Sequence, residues 1–443
     1  MKKTIALVLS TVMLLACMPA FALDQAPPIE SLAGTKITMM LLSGGYQPAV
    51  QPAIEQFTAE TGIEVELIGL EEAALREKTL LEIKSGSVAI DVYSVDGPPY
   101  IYEIESGLER LQPYVDRDGI DLSKFLDVYL EMGRYPSLYT PHEEDYEMGD
   151  GELLSLPVRI GVHILHYRKD LFEAAGLQAP TSMDELYEAA KTLTGGTTED
   201  GEKVYGVILQ GDQSTWGFVQ YCDFLWSFGG DLFNADMTES ALNSPEALAA
   251  LEFMVKLYKD GYAPPATPTY DMDTAVAALQ QGIGAMYLEY SPRALVIDNP
   301  ETSKTAGKWA WTVIPSSEGG TGSGCVTGWS MGINKNSANK EAAWALIKYL
   351  TSEEIQTKMA IEEANGPVLT SVFENPEYQA SFPAALAVLE AAKNGTVRPG
   401  VHQIAQIEDR ISLAVNSSLL GNTTPAEALQ RAHEEINEIL ADQ

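Results

Sequence analysis

Lys36-Ile-Thr-Met-Met-Leu-Leu42 is a short apolar run closed by Gly44-Gly45, and its reading decides the fold. The run is too short for a core helix, and the glycines that bound it mark a buried strand. Just after it, Val50, Ile54 and Phe57 recur at helical spacing. Gly62 then stands where a helix C-terminus takes a left-handed residue. Residues 63–68 predict a second strand, residues 71–85 a second helix and residues 89–95 a third strand. Strand, helix, strand, helix, strand in this order predicts a parallel sheet covered by helices. Ligands of open α/β sheets bind beyond the strand C-termini, so the loops after Leu42 and Val95 are the first candidates for a site.

The pattern restarts past Pro157. Residues 162–167 predict a strand, Ser182 and Glu185 form a capping box, and residues 203–209 predict a further strand. Ser244-Pro245 opens a long helix with Leu248, Leu251, Val255 and Tyr258 on one stripe, stopped by Gly261. Thr424-Pro425 and Glu427 open the last helix, which turns Leu429, Ala432, Ile436 and Ile439 inward. The prediction is therefore an α/β chain of two units.

Of 443 residues, 45% are hydrophobic and 21% charged, a globular balance. Lys+Arg number 28 against 63 Asp+Glu, giving a net charge of −35, which repels phosphate backbones and anionic lipid. Nucleic acid is excluded as a partner, and a soluble monomer is expected. Lys2 and Lys3, an apolar run to Leu15, and Ala20-Phe21-Ala22 read as a signal peptide over residues 1–22, so the protein is expected to work outside the cytoplasm, in the periplasm or its equivalent. Leu14-Leu15-Ala16-Cys17 is the competing reading, resembling the lipobox of bacterial lipoproteins that would place a lipid anchor on Cys17, while Pro19 ahead of the Ala22 cut favours the plain signal peptide. Cys222 and Cys325 remain as two buried thiols or as a bridge.

Catalytic and cofactor signatures are sparse. The chain has no Gly-Lys-Ser/Thr phosphate loop and no Gly-x-Ser-x-Gly elbow. Gly319-Gly-Thr-Gly-Ser-Gly324 has no strand-loop-helix context and reads as a flexible surface hairpin. His163 and His166 on one strand face opposite sides, unsuited to a shared metal. No catalytic residue, metal or cofactor is expected. Aromatics beside polar groups in predicted loops are more informative: Tyr46, the stretch Asp96 to Tyr100, Trp216, Tyr290 near Arg293, and Trp329. Aromatic faces cover the C–H faces of a sugar ring while carboxylates, amides and guanidinium groups satisfy its hydroxyls. Trp226, Trp309 and Trp344 lie in apolar periodic segments and are assigned to the core.

Several blocks resemble the extracellular solute-binding proteins of family 1, the sugar receptors of ABC importers. They include Phe57-Thr-Ala-Glu-Thr-Gly-Ile-Glu-Val65, Asp91-Val-Tyr-Ser-Val-Asp96 and Leu156-Pro157. Further along come Tyr167-Arg-Lys-Asp-Leu-Phe172, Pro180-Thr-Ser-Met-Asp-Glu-Leu186, Gly328-Trp329, Gly366-Pro367 and Arg398-Pro399. The resemblance implies a two-lobed periplasmic-binding-protein fold of type II. Each lobe would be a mostly parallel sheet flanked by helices, joined by crossing hinge strands. Residues 35–156 with 287–350 would form the N-terminal lobe, and 157–286 with 351–443 the C-terminal lobe. The crossings would fall near Leu156–Val158, Met286–Arg293 and Tyr349–Ser352.

By the same resemblance, ligand positions fall on Tyr46, Asp96 and Tyr100 in the first lobe, and on Asp212, Gln213, Trp216, His402 and Gln406 in the second. Tyr290, Arg293 and Trp329 match positions around the second crossing and beyond it, and Arg159 matches a polar hinge position. Two departures argue against a long oligosaccharide platform: Tyr290-Ser-Pro-Arg293 where many members carry Trp, and Glu408 where Trp is usual. The expected function is capture of a small sugar or polyol for a membrane permease. A secreted glycan hydrolase and a receptor for a non-sugar solute are the alternatives.

Overall fold

The computed structural model describes residues 25–441 except 45, 144, 319, 321 and 323. The expected signal peptide and the Cys17 lipobox lie outside the described residues. Ten strands are present among those described: β1 Lys36–Leu42, β2 Glu64–Leu70, β3 Val92–Val95, β4 Arg134–Tyr135, β5 Glu152–Leu153, β6 Ser155–Arg168, β7 Met286–Tyr290, β8 Trp309–Thr312, β9 Cys325–Ile333 and β10 Thr396–Val397.

β1 pairs in parallel with β2 and β3, and the helices Gln47–Thr61 and Glu72–Ser85 make the crossovers. The first of these helices ends as its sequence requires: Gly62 sits at φ 72°, and its N–H bonds Thr58. Val50, Ile54 and Phe57 pack with Ile37, Met39 and Leu41. The sheet continues β2-β1-β3-β9-β6-β7, with β10 on β9 and β8 on β6, and β4 and β5 form a separate ribbon.

The sheet is mixed rather than mostly parallel in each lobe. β6 meets β7, β8 and β9 antiparallel, and β3 meets β9 antiparallel. The strand expected over 203–209 is an extended segment without a ladder of its own. Tyr205 exchanges bonds with Ile283 and Ala285, Val207 bonds Tyr262, and Ile208 bonds Met286, so its amides are divided among partners. The capping box at Ser182 is displaced by one residue: Ser182 accepts the Glu185 N–H, while the Glu185 carboxylate reaches Thr181.

Two large hydrophobic cores divide the molecule into two lobes. One holds Ile37, Val50, Phe57, Val162, Ile164, Val326 and Trp344; the other holds Leu165, Phe218, Leu251, Leu288, Cys325 and Ile436. β6 therefore changes core between Ile164 and Leu165, and β9 between Cys325 and Val326. The chain passes again between Leu288 and Ala294, and between Val397 and Val401. Buried residues from Ile355 to Val397 pack in the first core although the second was expected. Tyr349–Ser352 joins two helices of that same core, and Val397 and Val401 lie in different cores. Trp226, Trp309 and Trp344 are buried, and Cys222 and Cys325 are buried free thiols.

Candidate functional site

The loops after β1 and β3 bring the first candidates together. Tyr46 immediately precedes the helix Gln47–Thr61, Tyr100 lies on the helix Gly97–Ile104, and Trp329 is on β9. The rings of Tyr46 and Trp329 stack with centroids 6.1 Å apart, and Tyr100 meets Trp329 edge-on at 5.9 Å. Arg159 pairs with Trp329 across β6 and β9, beside a register shift that begins at Pro157. Tyr290 ends β7 against Gly161, where a Cβ would lie 2.3 Å from its ring. Only glycine permits that approach.

Beneath Tyr290 lies a buried polar network at the passage between the cores. His163 Nδ1 lies 2.7 Å from Asp223 Oδ2, and its Nε2 3.5 Å from Glu289 Oε1. Glu289 also accepts the Tyr290 N–H at 2.8 Å and the Tyr287 hydroxyl at 2.6 Å, while Asp223 accepts the Cys325 N–H. Burial opposes a charge on His163, yet the two carboxylates outweigh it and its pKa stands above the ordinary value.

Asp96, at the end of β3, is buried and accepts Arg398 Nη2 at 2.6 Å. Arg398 Nη1 donates to Glu408 Oε1 at 3.3 Å, and Glu408 Oε2 accepts the Thr215 hydroxyl at 3.1 Å. Asp96 belongs to the first lobe and Glu408 and Thr215 to helices of the second, so one guanidinium bridges the two. Burial pushes the Asp96 carboxyl up to about 6, against the opposing pull of Arg398. Beside this bridge a cavity of about 370 Å³ is faced by Glu72, Arg76 and Tyr100 from one lobe and by Thr215, Ile404 and Glu408 from the other. Arg76 is held by Glu103 at 2.9 and 2.6 Å and lies 5.2 Å above the Tyr100 ring.

The other candidates are more dispersed. Asp212 accepts the Ser214 hydroxyl, and burial raises its pKa. Gln213 reaches Asn416 at 3.4 Å, and Trp216 is 38% exposed at the start of the helix Thr215–Ser227. Arg293 turns to Met272, its Nε 3.2 Å from the sulfur, and its Nη2 lies 4.0 Å from Asp273. His402 and Gln406 are exposed, the former 6.5 Å from the ring of Tyr102. Sequence reasoning did not count Arg398, Thr215, Arg76 or Glu72 among the site residues, although Arg398 lies in one of the blocks that carry the resemblance. Their one signal was the departure at Glu408, which marks the wall they share.

Comparison with known proteins agrees with this architecture. The family model described as bacterial extracellular solute-binding protein matches residues 43–357. The maltose-bound MalE3 of T. maritima superposes with a TM-score of 0.76 at 28% identity, covering 91% of this chain and 100% of that one. A ribitol complex of an ABC transporter solute-binding protein from Agrobacterium radiobacter K84 gives 0.75 at 27% identity, covering 92% and 99%. The erythritol/L-threitol-binding protein of Mycolicibacterium smegmatis is 25% identical over 359 residues, 77% of this chain and 72% of that one. By the span of the family match and the two-lobed fold, the chain belongs to the bacterial extracellular solute-binding proteins.

Proposed function

We propose that the chain captures a small sugar or polyol between its lobes and hands it, chemically unaltered, to the permease of an ABC importer outside the cytoplasm. The observation that carries this reading is the cavity of about 370 Å³ faced by both lobes, with Tyr100 on one wall and Arg398 and Glu408 on the other. Its polar groups satisfy hydroxyls, and leaving them unpaired is costly, which makes binding selective. We assign ligand contacts to Tyr46, Asp96, Arg159, Tyr290 and Trp329 on one side of the cleft and to Asp212, Gln213 and Trp216 on the other. We assign His402, Gln406 and Arg293 more peripheral contacts. The named relatives bind maltose, ribitol and erythritol or threitol, and they support this ligand class over a peptide or metal.

In this reading residues 36–164 with 326–397 form the first lobe, and residues 165–288 with 401–441 the second. The passages on β6 and β9 and at residues 397–401 then act as the hinge. A ligand that contacts both lobes only when they close favours closure by that difference in contact energy. Among the described residues no helix is long and apolar enough to cross a membrane. Calorimetric titration with a panel of monosaccharides, maltose and polyols tests the proposal. The expected result is one saturable ligand class near micromolar Kd, roughly −8 kcal/mol. Silence across the panel, or new reducing ends after incubation with oligosaccharides, overturns it.

A further inference from the structure

The cavity wall differs from a sugar-stacking platform in a way that narrows the ligand. A pyranose seated by stacking needs an aromatic ring with an open face. Tyr100 is the one aromatic side chain among the residues lining this cavity, and it is 2% exposed. The Arg76 guanidinium lies over its ring at 5.2 Å, and its flank meets Trp329. Trp329 in turn is stacked on Tyr46. The rings on this wall are thus engaged with each other and with Arg76, and the exposed ring of Trp216, next to Thr215 in the chain, is not part of the cavity lining.

Arg398, Glu408 and Thr215 line the other side of the cavity and continue a row of alternating hydrogen-bonding groups that starts at the buried Asp96 of the first lobe, outside the cavity lining. Asp96 Oδ2 accepts from Arg398 Nη2, Arg398 Nη1 donates to Glu408 Oε1, and Glu408 Oε2 accepts from Thr215. A carboxylate oxygen with one protein donor retains acceptor capacity, and a guanidinium carries five N–H groups. Such a row suits consecutive hydroxyls, each of which both donates and accepts. A flexible open chain can align them along the row, whereas a ring fixes their directions and asks for a stacking face. Glu408 sits in the middle of this row, between Arg398 and Thr215. It is an acceptor that is 8% exposed and held in place by two partners.

We infer that the Asp96–Arg398–Glu408 row selects an open-chain polyol over a pyranose, with Glu408 as the residue that sets the preference. This rests on the carbohydrate-binding reading above and goes further by naming the substrate form and its determinant.

Calorimetry on the full-length mature chain tests it, with D-mannitol, ribitol and erythritol as open-chain probes and methyl α-D-glucopyranoside and maltose as ring-locked ones. Wild type should bind at least one polyol about tenfold or more tighter than either ring-locked probe. Glu408→Gln, which keeps the shape and removes the charge, should weaken polyol binding about 10- to 100-fold. Glu408→Trp should narrow or invert the preference. Saturable binding that favours the ring-locked probes, or an E408Q affinity for polyols within twofold of wild type, overturns the inference and leaves the carbohydrate-binding reading standing. No binding of any probe overturns both. Circular dichroism and thermal melting establish that the variants fold. If E408Q does not, Thr215→Val decides in its place: it removes only the donor that orients Glu408, and an unchanged polyol affinity contradicts the proposal.

Discussion

Trp329→Ala separates a ring that merely lines the cleft from one that also builds it. Trp329 is half-buried and packs against both the main core of the first lobe and the smaller cluster formed by Met40, Tyr93, Tyr100 and Ile101. It makes two ring contacts, to Tyr46 at 6.1 Å and to Tyr100 at 5.9 Å. Each such pair contributes about 0.5–1.5 kcal/mol beyond area burial, and truncating a fully buried Trp to Ala costs about 3–5 kcal/mol. For a half-buried ring with two partners we expect a loss of roughly 2–4 kcal/mol. In a lobe of this size that corresponds to a melting point lowered by roughly 5–10 °C in scanning calorimetry. Trp216→Ala is the contrast. That ring is 38% exposed, so its removal should change stability by no more than about 0.5 kcal/mol, with any loss confined to ligand affinity. A Trp329→Ala variant melting within about 2 °C of wild type would refute the packing argument and leave Trp329 as a surface ring.

Other consequences follow from the buried charges. The Asp96 carboxyl titrates near 6 in the native chain against an ordinary value of 3.8. Between these values the native state holds a proton that the unfolded state has released. Asp96 therefore subtracts stability as pH rises through that window, in full above about 6, and the penalty is relieved as pH falls below 3.8. A ligand hydroxyl donating to the ionised form reverses the sense for binding. Affinity should fall by up to about tenfold per pH unit below 6, and Asp96→Asn should flatten that profile in titrations from pH 5 to 7.5; a profile unchanged in the Asn variant would assign the titration elsewhere. His163→Leu leaves Asp223 and Glu289 without their shared partner, and should cost about 3–5 kcal/mol in calorimetric stability; a neutral result would contradict an ion-paired cluster at this site. Cys222 and Cys325 should both be silent to a thiol reagent in the native chain and both react once it is unfolded; finding neither after unfolding would demonstrate a bridge.

The first lobe was legible because its signals are local. The apolar run 36–42, the i, i+4 spacing of Val50 and Ile54, and Gly62 at a left-handed cap each bind neighbours in the chain to one conformation. The loops after β1 and β3 gathered Tyr46, Asp96 and Tyr100 for the topological reason that parallel strands present their C-terminal ends together. What escaped depends on partners far apart in sequence. Arg398 and Asp96 are separated by 302 positions, and a charged residue taken singly reads as a solvated face. Helix periodicity likewise does not say which core a helix joins, and the buried residues from Ile355 to Val397 join the first. Extended segments do not reveal the direction of their partners, so the antiparallel joins of β6 were missed.

The central claim is that two lobes grip a carbohydrate without altering it. Small-angle scattering recorded across a carbohydrate titration tests it most directly, on a chain whose compact radius of gyration is roughly 22 Å. The account predicts that the radius contracts as a bound sugar or polyol saturates, following the same isotherm as the calorimetric heat, and that the ligand is recovered intact. Heat without contraction, or a ligand recovered in pieces, would contradict it.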